Sequence, residues 1–205
     1  MDSTLSYIGL LIERVSVIAT LAFVLTRWTW FRELLANKSE FKARLLFICL
    51  FGLFGIIGTY TGIVVNTGGA HSVGSVANMS STEAIINARV LGVAIAGILG
   101  GPSMGLASGI LAGLHRFALG GFTAFACSLA TVWEGLLAGV IAHYWFKSRK
   151  LSLWQVVVIG LLAEISQMVI ILAVAQPFEM AWSLVKIIGN QFMFGNLFIE
   201  FWFWF

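Results

Sequence analysis

The sequence predicts an all-α integral membrane protein, a polytopic bundle of six to seven transmembrane helices with its N-terminus outside and its C-terminus in the cytoplasm. Three observations carry this. Of 205 residues, 60% are hydrophobic and 10% charged, against about 25% charged in a soluble domain of ordinary composition. A mean hydropathy of +0.97, with eight tryptophans, excludes a cytosolic globule and a disordered chain alike. Finally, the apolar runs approach the length of a bilayer span, about 20 residues each.

Those runs fall near 5–26, 45–66, 84–100, 103–119, 122–146, 152–175 and 180–203. The first begins Met-Asp-Ser-Thr-Leu-Ser, without the basic start or small-residue cleavage site of a signal peptide, so it is expected to be retained as a helix. Glu13 and Arg14 within it read as a local pair. The fourth run is short, Gly-rich and carries His115-Arg116, which leaves a re-entrant segment as the competing reading.

Basic residues orient the bundle. The segment 27–44 holds Arg27, Arg32, Lys38, Lys42 and Arg44 against Glu33 and Glu40, and 147–150 reads Lys-Ser-Arg-Lys. The loops 67–83 and 176–179 contain neither Lys nor Arg. The positive-inside rule places the first two in the cytoplasm and the latter two outside. These placements agree only if the fourth run crosses. The segment 28–44, opening Trp-Thr-Trp-Phe-Arg, reads as a cytoplasmic interfacial helix or a plain loop.

Function classes are narrowed by what is missing. A net charge of +3 is too small for a nucleic-acid partner, and Cys49 and Cys127 form no disulfide framework or metal-ligand spacing. No Walker loop, His-Glu-x-x-His, Gly-x-Ser-x-Gly or dinucleotide fingerprint occurs. The chain is therefore expected to hold no catalytic residues, metal or cofactor.

Gly101, Gly105, Gly109 and Gly113 recur every four residues and line one face of a helix. Such small-residue stripes let helix backbones approach closely in lipid. Gly92, Ala96 and Gly100, then Gly135 and Gly139, repeat the pattern in the neighbouring runs.

Ionisable residues within spans are costly and point to function. Counting from the outer ends at about 1.5 Å per residue brings Tyr60, Arg89, Arg116 and Cys127 to one layer, with Asn87, His115 and Thr123 beside them. The layer has two guanidiniums and no acid. It therefore favours a small anion entering from outside, which an arginine fork grips bidentately. Snorkelling of both arginines to the headgroups is the alternative. Tyr60, Thr123 and Asn87 would orient the ligand. Cys127 reads as a contact residue, a redox-responsive thiol or a small buried apolar residue. Glu134 and Glu164 fall deeper, as a proton-sensitive or relay element or as protonated structural donors, and pairing with each other, with Lys186 or with a ligand-site arginine stays open. His143 reads as interfacial.

The residues also carry a family resemblance. Leu-Ile-Glu-Arg-Val near the start precedes Gly-Leu-Phe-Gly-Ile-Ile-Gly-Thr-Tyr-Thr-Gly at 52–62 and Asn87-Ala88-Arg89. Gly-Gly-Pro at 100–102, Gly-Leu-His-Arg at 113–116 and Gly-Gly-Phe-Thr-Ala-Phe-Ala-Cys at 120–127 follow, then Glu134-Gly135. In this joint occurrence the chain closely resembles the LytS/YhcK-type membrane sensor domain, the five-transmembrane receptor of bacterial sensor histidine kinases and some diguanylate cyclases. The likeness is strongest over 5–145. The family is also similar in fold to the S-components of energy-coupling-factor vitamin transporters.

The resemblance implies one transmembrane sensor domain over 1–205 in the bacterial cytoplasmic membrane, with Arg89, Arg116 and Cys127 in its ligand site. It implies a small extracellular anion as ligand, pyruvate-like since several members sense pyruvate, and a link to control of murein hydrolases and autolysis. It also implies dimerisation through an output domain and a cognate response regulator reached through a kinase. The sequence given ends at Phe-Trp-Phe-Trp-Phe, where relatives continue into GAF and kinase modules. The output domain is thus expected to lie outside this chain, or the chain is a stand-alone receptor. A transporter subunit of S-component type is the alternative function, and a purely structural membrane protein ranks third.

Overall fold

Helices dominate the computed structural model, which describes residues 27–36, 40–60, 62–66, 82–86, 89–146 and 152–189. They are α1 (Thr29–Ala36), α2 (Phe41–Tyr60), α3 (Arg89–Gly100), α4 (Pro102–Ala118), α5 (Ala124–Phe146) and α6 (Leu153–Val174), with a further helical segment, α7, over 178–189. Between α2 and α3, β1 (Ile63–Asn66) pairs antiparallel with β2 (Glu83–Ile86), so that Ile63 faces Ile86 and Asn66 faces Glu83.

The helical class stands, with this one two-stranded hairpin added to it, and the hairpin moves two helix boundaries. The second apolar run was expected to stay helical to 66 and the third to start at 84, whereas α2 stops at Tyr60 and α3 starts at Arg89. Ile63-Val64-Val65 and Ala84-Ile85-Ile86 prolong the apolar runs, and a short apolar stretch has no period that separates strand from helix. β-branched residues tip such stretches toward strand. The hairpin also takes in Glu83, the last residue of the expected 67–83 loop. The expected spans at 5–26 and beyond 189, the Glu13–Arg14 pair and most of the 67–83 loop lie outside the described residues.

Among the described residues, three helical stretches are long and apolar enough to cross a membrane: Phe41–Tyr60, Ala124–Trp145 and Trp154–Val174. α3 and α4, with 12 and 17 residues, rise only about 18 and 25 Å. They fold back on each other across one residue, Gly101, whose φ of 87° is open to glycine and strained for any side chain. Pro102 then opens α4 at its first turn, where its missing N–H costs nothing.

α5 is the hub, packed against α3, α4 and α6, while α2 closes over α3 and α4. The contacts between α4 and α5 are backbone to backbone. A Cβ on Gly105 would overlap the Gly135 carbonyl, one on Gly109 would come within 2.9 Å of the Thr131 carbonyl, and one on Gly113 within 2.9 Å of that of Ser128. Gly101 stands apart from the stripe in which it was expected: it lies outside the helix, with no atom of the described residues within 4 Å of a Cβ there. Its role is the turn.

Phe31 and Leu34 of α1 bury against Phe47, Phe51, Ala96 and Met104, leaving Trp28 and Trp30 exposed. The helix expected over 28–44 is thus shorter, and Phe41–Arg44 belong to α2 instead. Ser152 caps α6 in a reciprocal capping box with Gln155. A cis Gln176–Pro177 bond lies between α6 and α7. Cys127, Ala84, Ile171, Ala181 and Leu184 form a core that joins the hairpin, α5, α6 and α7.

Candidate ligand-binding site

The α3–α4 turn at Gly101 decides where the arginines go. Arg89 opens α3 and Arg116 sits in the last turn of α4, so both lie at the end of the helix pair remote from that turn. α5 begins at that same end and brings Thr123, Cys127 and Thr131 alongside. Spaced four residues apart, these three share a face of the helix.

Both guanidiniums are buried, Arg89 at 1% exposure and Arg116 at 0%. Arg89 donates from Nε to Thr131 Oγ1 at 2.5 Å and from Nη2 to the Cys127 carbonyl at 3.3 Å. Thr131 in turn donates to the same carbonyl at 2.7 Å. Arg116 donates from Nη1 to the Gly120 carbonyl at 2.7 Å and from Nη2 to Thr123 Oγ1 at 3.1 Å. Gly120 and Gly121, with φ of 76° and 85°, form the turn that supplies this carbonyl. The Arg116 Nε is buried without a hydrogen-bond partner among the described residues, and the Cys127 thiol adjoins the guanidinium.

Room for Arg89 comes from small residues on α2 and α3. Gly55 and Gly92 meet backbone to backbone, and the Arg89 side chain passes close to Gly55. At the rim, Tyr60 Oη lies 3.2 Å from His115 Nε2. Tyr60 is half-exposed, and His115 is near enough to both arginines to feel their charge.

Of the residues the sequence singles out, the structure gathers Arg89, Arg116, Thr123 and Cys127, with Tyr60 and His115 at the rim. Asn87 lies outside the described residues. Glu134 and Glu164 both lie within electrostatic reach of Arg89, the arrangement in which these deeper acids answer a ligand-site arginine. One turn of helix separates Glu134 from Thr131, so a carboxylate counted as deeper still faces the long arginine side chain. Thr131 is the residue that sequence reasoning missed. Its signal was the four-residue spacing Thr123, Cys127, Thr131.

Comparison with known proteins bears on this arrangement. A family model described as 5TMR of 5TMR-LYT matches residues 28–201. The chain is 41% identical over 188 residues to the sensor protein LytS of Bacillus subtilis, covering 91% of this chain and 32% of that one. It is 32% identical over 198 residues to LytS of Bacillus cereus, covering 96% and 33%. To the sensor histidine kinase BtsS of Escherichia coli it is 30% identical over 191 residues, covering 91% and 31%. The chain therefore spans about a third of the length of these curated relatives. No solved structure matches it. With its apolar helices and a match over most of its length, this multi-pass protein of the bacterial cytoplasmic membrane belongs to the LytS-type five-transmembrane receptor family.

Proposed function

We propose that the chain is the membrane sensory domain of a sensor histidine kinase and binds a small extracellular carboxylate between Arg89 and Arg116. The observation that carries this reading is the pair of fully buried guanidiniums that meet at Cys127. Burying two cations together is expensive, and an anion that engages both would offset the cost. Pyruvate, a compact carboxylate with an adjacent carbonyl, suits a site with two guanidiniums and the hydroxyl of Thr123. Tyr60 and His115 would line its entry, and the amide of Asn87 is proposed to orient the ligand.

In this reading the N-terminus lies outside, segment 27–44 and loop 147–150 lie in the cytoplasm, and loop 67–83 lies outside. The ligand shifts the packing of the bundle only by binding one arrangement more tightly than another. The last helix passes that shift to a C-terminal output domain, through which the protein dimerises and addresses a response regulator, with control of murein hydrolases as the downstream process. Calorimetric titration of the purified protein with pyruvate tests the site: saturable binding is expected, and its absence overturns the assignment.

A further inference from the structure

We propose that a cavity at the end of α4 opposite Arg116 holds one anionic phospholipid, with its phosphate at Arg44 and Ser103. The cavity shares no residue with the carboxylate site proposed above.

Between the first turns of α2 and α4 lies a space of about 210 Å³, bounded by Phe41, Arg44, Leu45 and Ile48 on one side and Ser103 and Met104 on the other. Further along the pair the helices close. Ser108 Oγ donates to the Ile48 carbonyl at 3.4 Å, and Leu111 of α4 fills the room left by Gly52 of α2. The cavity is therefore open at the helix starts and sealed below.

Its mouth is cationic. Arg44 is exposed, and among the described residues it donates across the opening to the Ser103 hydroxyl at 3.5 Å and meets no carboxylate. One long bond to a hydroxyl leaves most of the guanidinium's five donors available to a phosphate, which it can grip bidentately. α4 also starts here without a side-chain cap, and the N–H groups of a first helical turn add to the attraction for an anion. The walls below are apolar, from Leu45 and Ile48 on α2 and Met104 on α4. A free phosphate would satisfy the mouth and leave those walls bare. An amphiphile with an anionic head and a hydrocarbon tail matches both.

This end of the bundle also has the composition of a membrane–water boundary. Trp28, Trp30 and Phe41 are exposed, and aromatic rings of this kind favour headgroup level. Met104 belongs to the core on which Phe31 and Leu34 of α1 pack, so α1 and its tryptophan lie beside the cavity. Among the described residues here, Arg27, Arg32, Lys42 and Arg44 outnumber Glu33 and Glu40. That excess favours a headgroup with net negative charge over a zwitterionic one, whose ammonium it repels.

Thermal unfolding of the full chain in mild detergent tests the site. Added dioleoylphosphatidylglycerol should raise the unfolding temperature by about 3 °C or more, and native mass spectrometry should retain the lipid on the protein. Dioleoylphosphatidylcholine should give less than about half that shift. Arg44→Gln should abolish both the shift and the retained lipid. Lys42→Gln removes the same charge from an exposed position outside the cavity and should leave both in place. Equal stabilisation by the two lipids, or a loss in Lys42→Gln as complete as in Arg44→Gln, would reveal general attraction to a basic surface and overturn the site. Inorganic phosphate that reproduces the full shift would overturn the lipid as occupant. Leu45→Glu sets an acid on the apolar wall and gives a second variant should Arg44→Gln not fold. Undiminished lipid retention in Leu45→Glu overturns the site as well.

Discussion

Arg89, the first residue of α3, is tied to Thr131 in the middle of α5 by a 2.5 Å hydrogen bond between its Nε and the threonine hydroxyl. The bond fixes the guanidinium plane, so the arginine's remaining nitrogens have set directions. One of them already points at the Cys127 carbonyl. Thr131→Val keeps the shape and removes the hydroxyl. Pyruvate affinity should fall about five- to thirtyfold, the equivalent of about 1–2 kcal/mol for a lost charge-assisted bond, while the folded protein persists. Titration calorimetry measures it, and an unchanged affinity would show that Thr131 does not position Arg89.

Removing either arginine should be more severe. Arg89→Ala and Arg116→Ala are each expected to weaken pyruvate binding by at least about thirtyfold, because a fork of charge-assisted bonds disappears. Arg116→Lys should rescue little, since an ammonium cannot span the Gly120 carbonyl, Thr123 and a ligand in one plane. Thermal-shift titration with pyruvate, lactate and acetate reads all three variants. Wild-type binding in both alanine variants would leave the arginines a purely structural role.

The grouping of Arg89 with Arg116 and Cys127 was legible in the order of the runs, but the depth count behind it started from ends at 66 and 84, where the chain forms a hairpin and Tyr60 and Arg89 are themselves helix ends. The helices were legible too: the run read as 122–146 is α5 at Ala124–Phe146, and that read as 152–175 is α6 at Leu153–Val174. The hairpin was not, since Ile63-Val64-Val65 carries the same hydropathy whether helical or extended. Gly101 misled for a related reason. Its spacing from Gly105 fits the stripe, and only its backbone angle reveals a turn. Which partner Glu134 answers stayed open among several, because a count of backbone depth ignores arginine's reach.

Packing gives a prediction independent of ligand. Gly105→Ala places a methyl against the Gly135 carbonyl, where no side chain can yield. A loss of about 1–3 kcal/mol or more is expected, read as a lower unfolding temperature in detergent. Gly160→Ala is the control, because among the described residues nothing lies within 4 Å of its Cβ position. Its stability should stay within about 0.5 kcal/mol of the parent.

Orientation can be checked by labelling. In a Cys49→Ser background, a cysteine at Ser75 should react with an impermeant maleimide added to whole cells. One at Ser148 should react only after the membrane is opened. The reverse pattern would invert the topology and move the arginine site to the cytoplasmic side.

Because Gly105, Gly109 and Gly113 bring α4 directly onto the backbone of α5, no compressible layer of side chains separates the two helices. The distance from Arg116 on one to Cys127 on the other is therefore a fixed calibre rather than an adjustable gap. In the proposed site a longer acid would have to pry these helices apart, against backbone already in contact. With the proposed ligand in place, the glycine seam would act as a gauge for molecular length without touching the molecule it measures.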